Sequence, residues 1–381
     1  MGNKLKILLI IAPVLLFSCS SGDNYDSNTQ ISKYNNKNTD VFSDQKYQEI
    51  YTETRIGTVK VPDQNLDLVS DWYDADKKVN GEMTLSDPET NLNFETSSDF
   101  IEKKYLAEIQ KFDGVILVIR DFKNDSVVHP YNKIDCINDF EQFTIESRLI
   151  DVQIIEKRID NIRRSFKSLT KQEREKGEKN IQLLSEVSGF IENGESYNSP
   201  LFTDVHKSIV GSTFLLVKAP IVVVVNSSEG DTLSKNKEES IKNLLTEDGR
   251  LVSLSLGLEE ELSKMSNEDA DEFRKDLGAD TNQLSSIFTD LLLVSNTICF
   301  LTAGKKECRS WLLKEGSSAV EAASKIHSDI ARGFVRAEVI YNKDLIGFKN
   351  EKEARDKAAI RREGKQYIIK EGDVVNFLFS V

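Results

Sequence analysis

Ala219-Pro220-Ile221-Val222-Val223-Val224-Val225-Asn226-Ser227-Ser228-Glu229 is the stretch that decides the fold. Ile221 to Val225 are five consecutive aliphatic residues, which a half-buried surface strand, with its alternating polarity, does not show. A continuous β-branched run is the pattern of a strand covered on both faces, inside a parallel α/β sheet. Polar residues begin where the run ends. Open α/β sheets bind ligands at the carboxyl ends of their strands, so Asn226 and Glu229 are candidate ligand contacts. Asn offers a donor and an acceptor together and Glu an acceptor, a pair that suits a purine edge. A plain strand-to-loop turn is the competing reading of the same residues.

Working outward, Gly114 to Ile119 is a second continuous aliphatic run. Short strands are predicted at Ile56 to Val61 and at Glu82 to Asp87, with a helix at Phe100 to Phe112 between the later strands. Strand, helix and strand alternate, as βαβ units do. From Phe140 the period changes: Ile155, Ile159, Ile162 and Phe166 recur at helical spacing, and after a charged break so do Ile181, Leu184, Val187 and Ile191. This predicts an antiparallel helical hairpin over about residues 140–193, serving as a contact arm or packing on the body. Helices are expected at Lys235 to Leu245, Glu259 to Met265, Ala270 to Leu277 and Thr281 to Ser295, with a strand at Leu251 to Leu256. A small mixed unit follows from Phe300. It has strands at Cys308 to Leu313, Val335 to Ile340, Tyr367 to Ile369 and Val374 to Val381, and a helix at Ser318 to His327.

The chain has 381 residues, enough for two or three domains, and a net charge of −13. The charge is uneven: from Lys305 onward there are 16 Lys+Arg against 12 Asp+Glu. A mildly basic module on an acidic body is compatible with a nucleic-acid surface. Cys19, Cys136, Cys299 and Cys308 are scattered, and with His129, His206 and His327 far apart no zinc-ligand spacing exists. No histidine has a triad partner at a recognisable spacing. Arg309 could lower the Cys308 thiol, but an alternating strand makes it a packed residue.

The first segment reads as a leader. Two lysines precede the apolar run Ile7 to Phe17, and Leu16-Phe17-Ser18-Cys19 follows the form of a lipoprotein signal in which Cys19 is acylated. The alternative is a buried first strand of the sheet at Ile7 to Ile11. Residues 20–46 are rich in Asn, Ser and Asp and read as a disordered tether.

Thr302-Ala303-Gly304-Lys305-Lys306-Glu307, Trp311, Ala322-Ala323, Ile326-His327-Ser328-Asp329, Arg332 to Val339 and Glu371-Gly372-Asp373-Val374-Val375 resemble the C-terminal TGS domain of the YchF family, the Obg-like ATPases. Val61-Pro62-Asp63, Phe112-Asp113 with the strand ending at Arg120, and the Asn-x-x-Glu of Asn226 to Glu229 resemble further family segments, the last being its adenine-recognition motif. The resemblance implies a GTPase-like α/β domain with a mainly parallel sheet at residues 47–301, the hairpin inserted in it, and a ubiquitin-like α+β TGS domain at residues 302–381. It also implies slow ATP hydrolysis with Mg2+ and association with ribosomes or RNA through the hairpin and TGS domain.

The chain departs from that pattern where hydrolysis happens. No Gly-x-x-x-x-Gly-Lys-Ser/Thr phosphate loop exists anywhere in it. The Asp-x-Ala-Gly segment becomes Asp87-Pro88-Glu89-Thr90, Leu117 stands where the family has a histidine, and the base-binding loop becomes Ser255-Leu256-Gly257. Phosphate contacts carry the stabilisation of phosphoryl transfer, so these losses imply no catalytic residue, ATP held weakly or not at all, and Mg2+ binding in doubt. The nucleotide candidates are Asn226, Glu229 and Ser255, with Asp87 as remnant of the Mg/phosphate segment and Cys19 as lipidation site. The expected protein is a non-hydrolysing lipoprotein anchored outside the cytoplasm. The alternative is a cytoplasmic, ATP-binding, ribosome-associated regulator of the YchF type.

Overall fold

The computed structural model describes residues 5–11, 31–32, 55–87, 112–124, 129, 133–211, 213, 215–231, 233–245, 249–277 and 283–380. Along the chain run β1 (Leu5–Ile11), β2 (Ile31–Ser32), β3 (Arg55–Lys60), α1 (Gln64–Tyr73), β4 (Lys78–Val79), β5 (Glu82–Asp87) and β6 (Gly114–Asp121). Next come the hairpin helices α2 (Cys136–Ser165) and α3 (Lys171–Glu192), then α4 (Asp204–Ile209), β7 (Ile221–Ser227), α5 (Lys235–Leu244), β8 (Arg250–Leu254), α6 (Leu256–Leu262), α7 (Asn267–Asp276) and α8 (Gln283–Val294). The last part holds β9 (Thr297–Thr302), β10 (Cys308–Lys314), α9 (Ala319–Ile326), α10 (Ser328–Arg332), β11 (Phe334–Tyr341), α11 (Asn342–Leu345), α12 (Glu351–Asp356), β12 (Arg361–Glu363) and β13 (Asp373–Phe379).

A seven-stranded sheet has the order β2-β3-β5-β1-β6-β7-β8. Its strands β5, β1, β6, β7 and β8 are parallel neighbours, and β3 runs antiparallel to β5. β6 and β7 are buried nearly throughout, as their continuous aliphatic runs require. One face packs Ile116, Val118, Val222 and Val224 against α8, and the other packs Leu117, Ile119, Val223 and Val225 against Phe140 and Phe143 of α2. The fold is the expected α/β class.

Leu5–Ile11 follows the alternative reading, a first strand of the sheet, rather than the main reading of a leader. The run read as a leader core is β1, hydrogen-bonded between β5 and β6 with Ile7 opposite Gly114 and Leu8 opposite Ser86. A short apolar run satisfies a leader core and a buried strand equally, so hydrophobicity alone does not separate them. Cleavage before Cys19 would remove this strand from the middle of the sheet. Cys19 itself, the rest of the leader and most of the tether lie outside the described residues. Ile31–Ser32, inside the stretch read as tether, pairs with β3. The helix expected at Phe100 to Phe112 lies outside the described residues up to residue 111.

The hairpin forms as expected and slightly longer. Ile155, Ile159, Leu184, Val187 and Ile191 make its internal core. Thr170 starts α3 with a capping box closed by Glu173. The second sheet has six strands in the order β12-β11-β13-β9-β10-β4 and begins with β9 at Thr297, before the boundary that the motifs suggested. Tyr367 to Ile369 forms no strand; Ile368 only bridges Ser318, and the edge strand is the charged Arg361–Glu363. An edge strand has one side in water, so its alternation is lost in the sequence. Helix α1 was not expected either. Its signal is Asp63 after Pro62, whose carboxylate accepts from Asn65 N and Leu66 N as N-cap.

Candidate functional site

At the carboxyl edge of the seven-stranded sheet, Arg120 of β6, Asn226 of β7 and Leu254 of β8 lie in register. The chain leaves β7 through Ser228 and Gly230, the latter at φ +75°, a turn closed by Asp231 N–H donating to Ser228 O at 3.1 Å. Glu229 sits in that turn, exposed. Asn226 is 3% exposed, and its Oδ1 accepts a hydrogen bond from Leu256 N–H at 2.9 Å. The acceptor of Asn226 is therefore spent on the loop after β8. Among the described residues nothing accepts from its Nδ2, so the amide nitrogen is the group left for a ligand. Ser255 is drawn to the same corner but its Oγ accepts from Leu258 N–H as the N-cap of α6. Ser227 and Ser253 hydroxyls meet at 3.3 Å alongside.

Asp87 ends β5, with β1 and β6 between it and β7; Ser86 is in register with Leu8, Val115 and Ile221, so Asp87 stops four residues short of the level of Asn226. Three strand spacings across, about 14 Å, and four residues along the strand, about 13 Å, separate it from Asn226. Asp87 is therefore remote from the Asn226 corner, and Leu117, fully buried against α2, presents nothing to either. The donor set fits a purine edge through Asn226. For a triphosphate, the sequence offers no lysine in a Gly-x-x-x-x-Gly-Lys-Ser/Thr pattern. Among the described residues no group of His, Cys, Asp or Glu could hold a metal ion.

Beside Asn226 the end of β6 carries a polar cluster that the sequence did not announce. Arg120, 1% exposed, donates from Nε to Phe122 O at 2.8 Å and lies over the Phe122 ring. Lys237 of α5 reaches both oxygens of Asp121 at 2.6 and 2.8 Å, and its ammonium is held above the ordinary lysine range by that bond. His129 and Asp139 pair at 3.1 Å, both buried. Burial, with Asp135 and Asp121 nearby, pushes the Asp139 carboxyl up to about 7 against the pull of Arg120, and burial together with Arg120 pushes His129 down. The signal for this pair was Asp139 itself, placed among Cys136, Phe140 and Phe143 on the apolar face of α2.

The other histidines have structural work. His206 takes the Thr203 hydroxyl at 2.9 Å on Nδ1 and meets Glu186 at 2.9 Å through Nε2, closing the cap of α4 against α3. His327 caps α10 by accepting from Asp329 N–H at 3.1 Å. Arg309 turns to Glu307 at 2.9 Å and to the Trp311 ring, while the buried Cys308 thiol is raised by burial. The hairpin tip is exposed and basic: residues 157–179 hold 9 Lys+Arg against 4 Asp+Glu.

Residues 297–380 match the family model YchF-GTPase_C, described as a protein of unknown function (DUF933). The chain is 31% identical over 335 residues to the ribosome-binding ATPase YchF of Mycoplasma genitalium, covering 86% of this chain and 90% of that protein. It is 30% identical over 331 residues to the protein of the same name from Haemophilus ducreyi, with the same coverage, 86% and 90%. The YchF GTPase of Schizosaccharomyces pombe has the same fold, with a TM-score of 0.79 at 22% identity over 99% of this chain and 98% of that one.

Proposed function

The chain belongs to the YchF family, and from that footing we propose that it is an adenine-nucleotide-binding, ribosome-associated protein of the family's type that does not turn ATP over efficiently. The observation that carries this reading is Asn226, fixed by Leu256 N–H with its amide nitrogen left at the ligand edge, three residues before Glu229. The relatives' names supply the partner: proteins called ribosome-binding ATPases align with most of this chain. The basic hairpin tip on a chain of net charge −13 suits a polyanion. Slow or absent turnover follows from the missing phosphate loop, because phosphoryl transfer depends on groups that neutralise phosphate charge. Titration of the full chain with ATP, with and without Mg2+, tests the nucleotide; co-sedimentation with ribosomes tests the partner. No ATP binding at millimolar concentration together with no ribosome association would end this reading.

A membrane-anchored, non-hydrolysing form is the second reading, carried by Leu16-Phe17-Ser18-Cys19. It requires the chain to give up β1 on maturation. Labelled palmitate incorporated into the chain, and lost from Cys19→Ala, would support it; an unlabelled chain that keeps its N-terminus would remove it.

A further inference from the structure

Residues between β3 and β5 leave the seven-stranded sheet and build part of the other one. The neck of this excursion is closed where Val61 N–H donates to Gly81 O at 2.8 Å and Asn80 Nδ2 donates to Val61 O at 2.8 Å. Beyond the neck, every anchor belongs to the C-terminal unit. Asp63, the cap of α1, accepts the Ser310 hydroxyl of β10 at 2.7 Å, and both are buried. Leu66 and Val69, both fully buried, pack with Leu301, Ile340, Leu345 and Val374. Trp72 Nε1 donates to Phe348 O at 2.8 Å. Asp76 N–H donates to Lys305 O at 2.8 Å and Cys308 N–H to Lys77 O at 2.9 Å, after which β4 pairs in parallel with β10. Gly81 lies so close to β10 that a Cβ there would meet Leu312 at 3.0 Å.

The return path is short. After β4 the chain passes Asn80 and Gly81 and becomes β5, whose last residue is Asp87. β3 and β5 pair from Lys60 and Glu82 at the neck to Arg55 and Asp87 at the far end. The two strands form a ribbon of about 20 Å with one end sewn into the C-terminal unit and the rest laid beside β1 in the seven-stranded sheet.

The geometry points to α1 and β4 as a coupling strap, through which the C-terminal unit sets the stability of the β3–β5 ribbon and of Asp87 at its far end. A partner seated on the C-terminal unit is then registered in the seven-stranded sheet without touching it. Coupling of this kind needs an element held by both sites, and the strap is packed into one unit and hydrogen-bonded through its neck into the other. The inference does not depend on what the ligand edge binds.

Hydrogen exchange of the full chain tests it. Ser310→Ala and Trp72→Phe each remove one strap anchor, and Phe377→Leu perturbs the opposite face of the same sheet, packed on Phe300 and Phe334. The expected result is faster exchange, by about threefold or more, across residues 55–61 and 82–87 in both strap variants, with α2 and α3 unchanged. Phe377→Leu should leave 55–61 and 82–87 at the wild-type rate. Exchange that rises only within residues 63–79 and 297–380 in the strap variants would overturn the coupling. Equal acceleration of the ribbon by Phe377→Leu would overturn it too, since the strap would then have no special part. Trp72→Phe keeps the test open if Ser310→Ala does not fold.

Discussion

Asn226 and Leu256 are 30 positions apart in the chain, yet the Asn226 Oδ1 takes the Leu256 N–H at 2.9 Å and ties the end of β7 to the start of α6. One side chain thus holds a loop in place with its oxygen, while among the described residues nothing accepts from its nitrogen. The two halves can be separated by mutation. Asn226→Ala strands a buried N–H and should cost about 1–3 kcal/mol in stability. Asn226→Asp keeps an acceptor for Leu256 but exchanges the donor for a second acceptor. If the amide nitrogen reads a purine, both variants lose ATP affinity, by about tenfold or more, while Asn226→Asp keeps more of the stability. Thermal melts beside ATP titrations read the split. Wild-type affinity in Asn226→Asp would detach this residue from the nucleotide.

Asp151, at the base of the hairpin, should give the protein a measurable pH dependence. Its carboxylate accepts Leu216 N–H and Val217 N–H, both at 2.7 Å, and is fully buried. Burial pushes its pKa from 3.8 up to about 7, against the two N–H groups and Lys218. A carboxyl raised in the folded chain holds a proton that the unfolded chain gives up, so its contribution to stability is full below about 4 and is lost as pH rises to about 7. Urea midpoints of wild type and Asp151→Asn should therefore converge as pH rises from 4.5 to 7.5. Divergence over that window would mean that the two N–H bonds outweigh burial.

Thiol reactivity checks the packing of three elements at once. Cys136, Cys299 and Cys308 are all buried. Burial raises each thiol, Cys136 to about 12, and the thiolate is the reactive form. In native protein Ellman's reagent should find at most the Cys19 thiol quickly, and all 4 cysteines after unfolding in urea. Two or more fast thiols before unfolding would contradict the core assigned to α2, β9 and β10.

The central strands and the hairpin were legible because burial leaves a period: Ile221 to Val225 and Gly114 to Ile119 are covered on both faces, and Ile155, Ile159, Leu184 and Ile191 line a helical seam. What stayed hidden depends on partners distant in sequence. β4 is two residues long and exists only because β10 pairs with it, and α1 is anchored by Ser310, 247 positions away. Leu5–Ile11 admitted both a leader and a strand because an apolar run looks the same in either, and the pairing with β5 and β6 that makes it a strand is with residues distant in sequence. At the candidate site, Asn226 stood out by its place after the buried run, but the sequence could not tell that its oxygen is taken. His129 lacked a partner in the sequence because Asp139 reaches it from the turn of a helix rather than from a known spacing.

The hairpin tip carries the prediction about the partner. Arg163, Arg164, Lys167 and Lys171 lie on its exposed end, with Arg163 61% exposed and 3.5 Å from Asp160. Side chains so open to water add little to stability, so Arg163→Glu with Arg164→Glu should leave the melting temperature within about 1–2 °C. If the tip meets phosphates, the same pair of changes weakens ribosome association by about tenfold or more at moderate salt. It also lowers the slope of log affinity against log salt by about 2, one for each lost phosphate contact. Co-sedimentation across a salt series measures both quantities. An unchanged slope would assign the contact elsewhere, with the C-terminal unit, which carries 16 Lys+Arg from Lys305 onward, as the next surface to reverse.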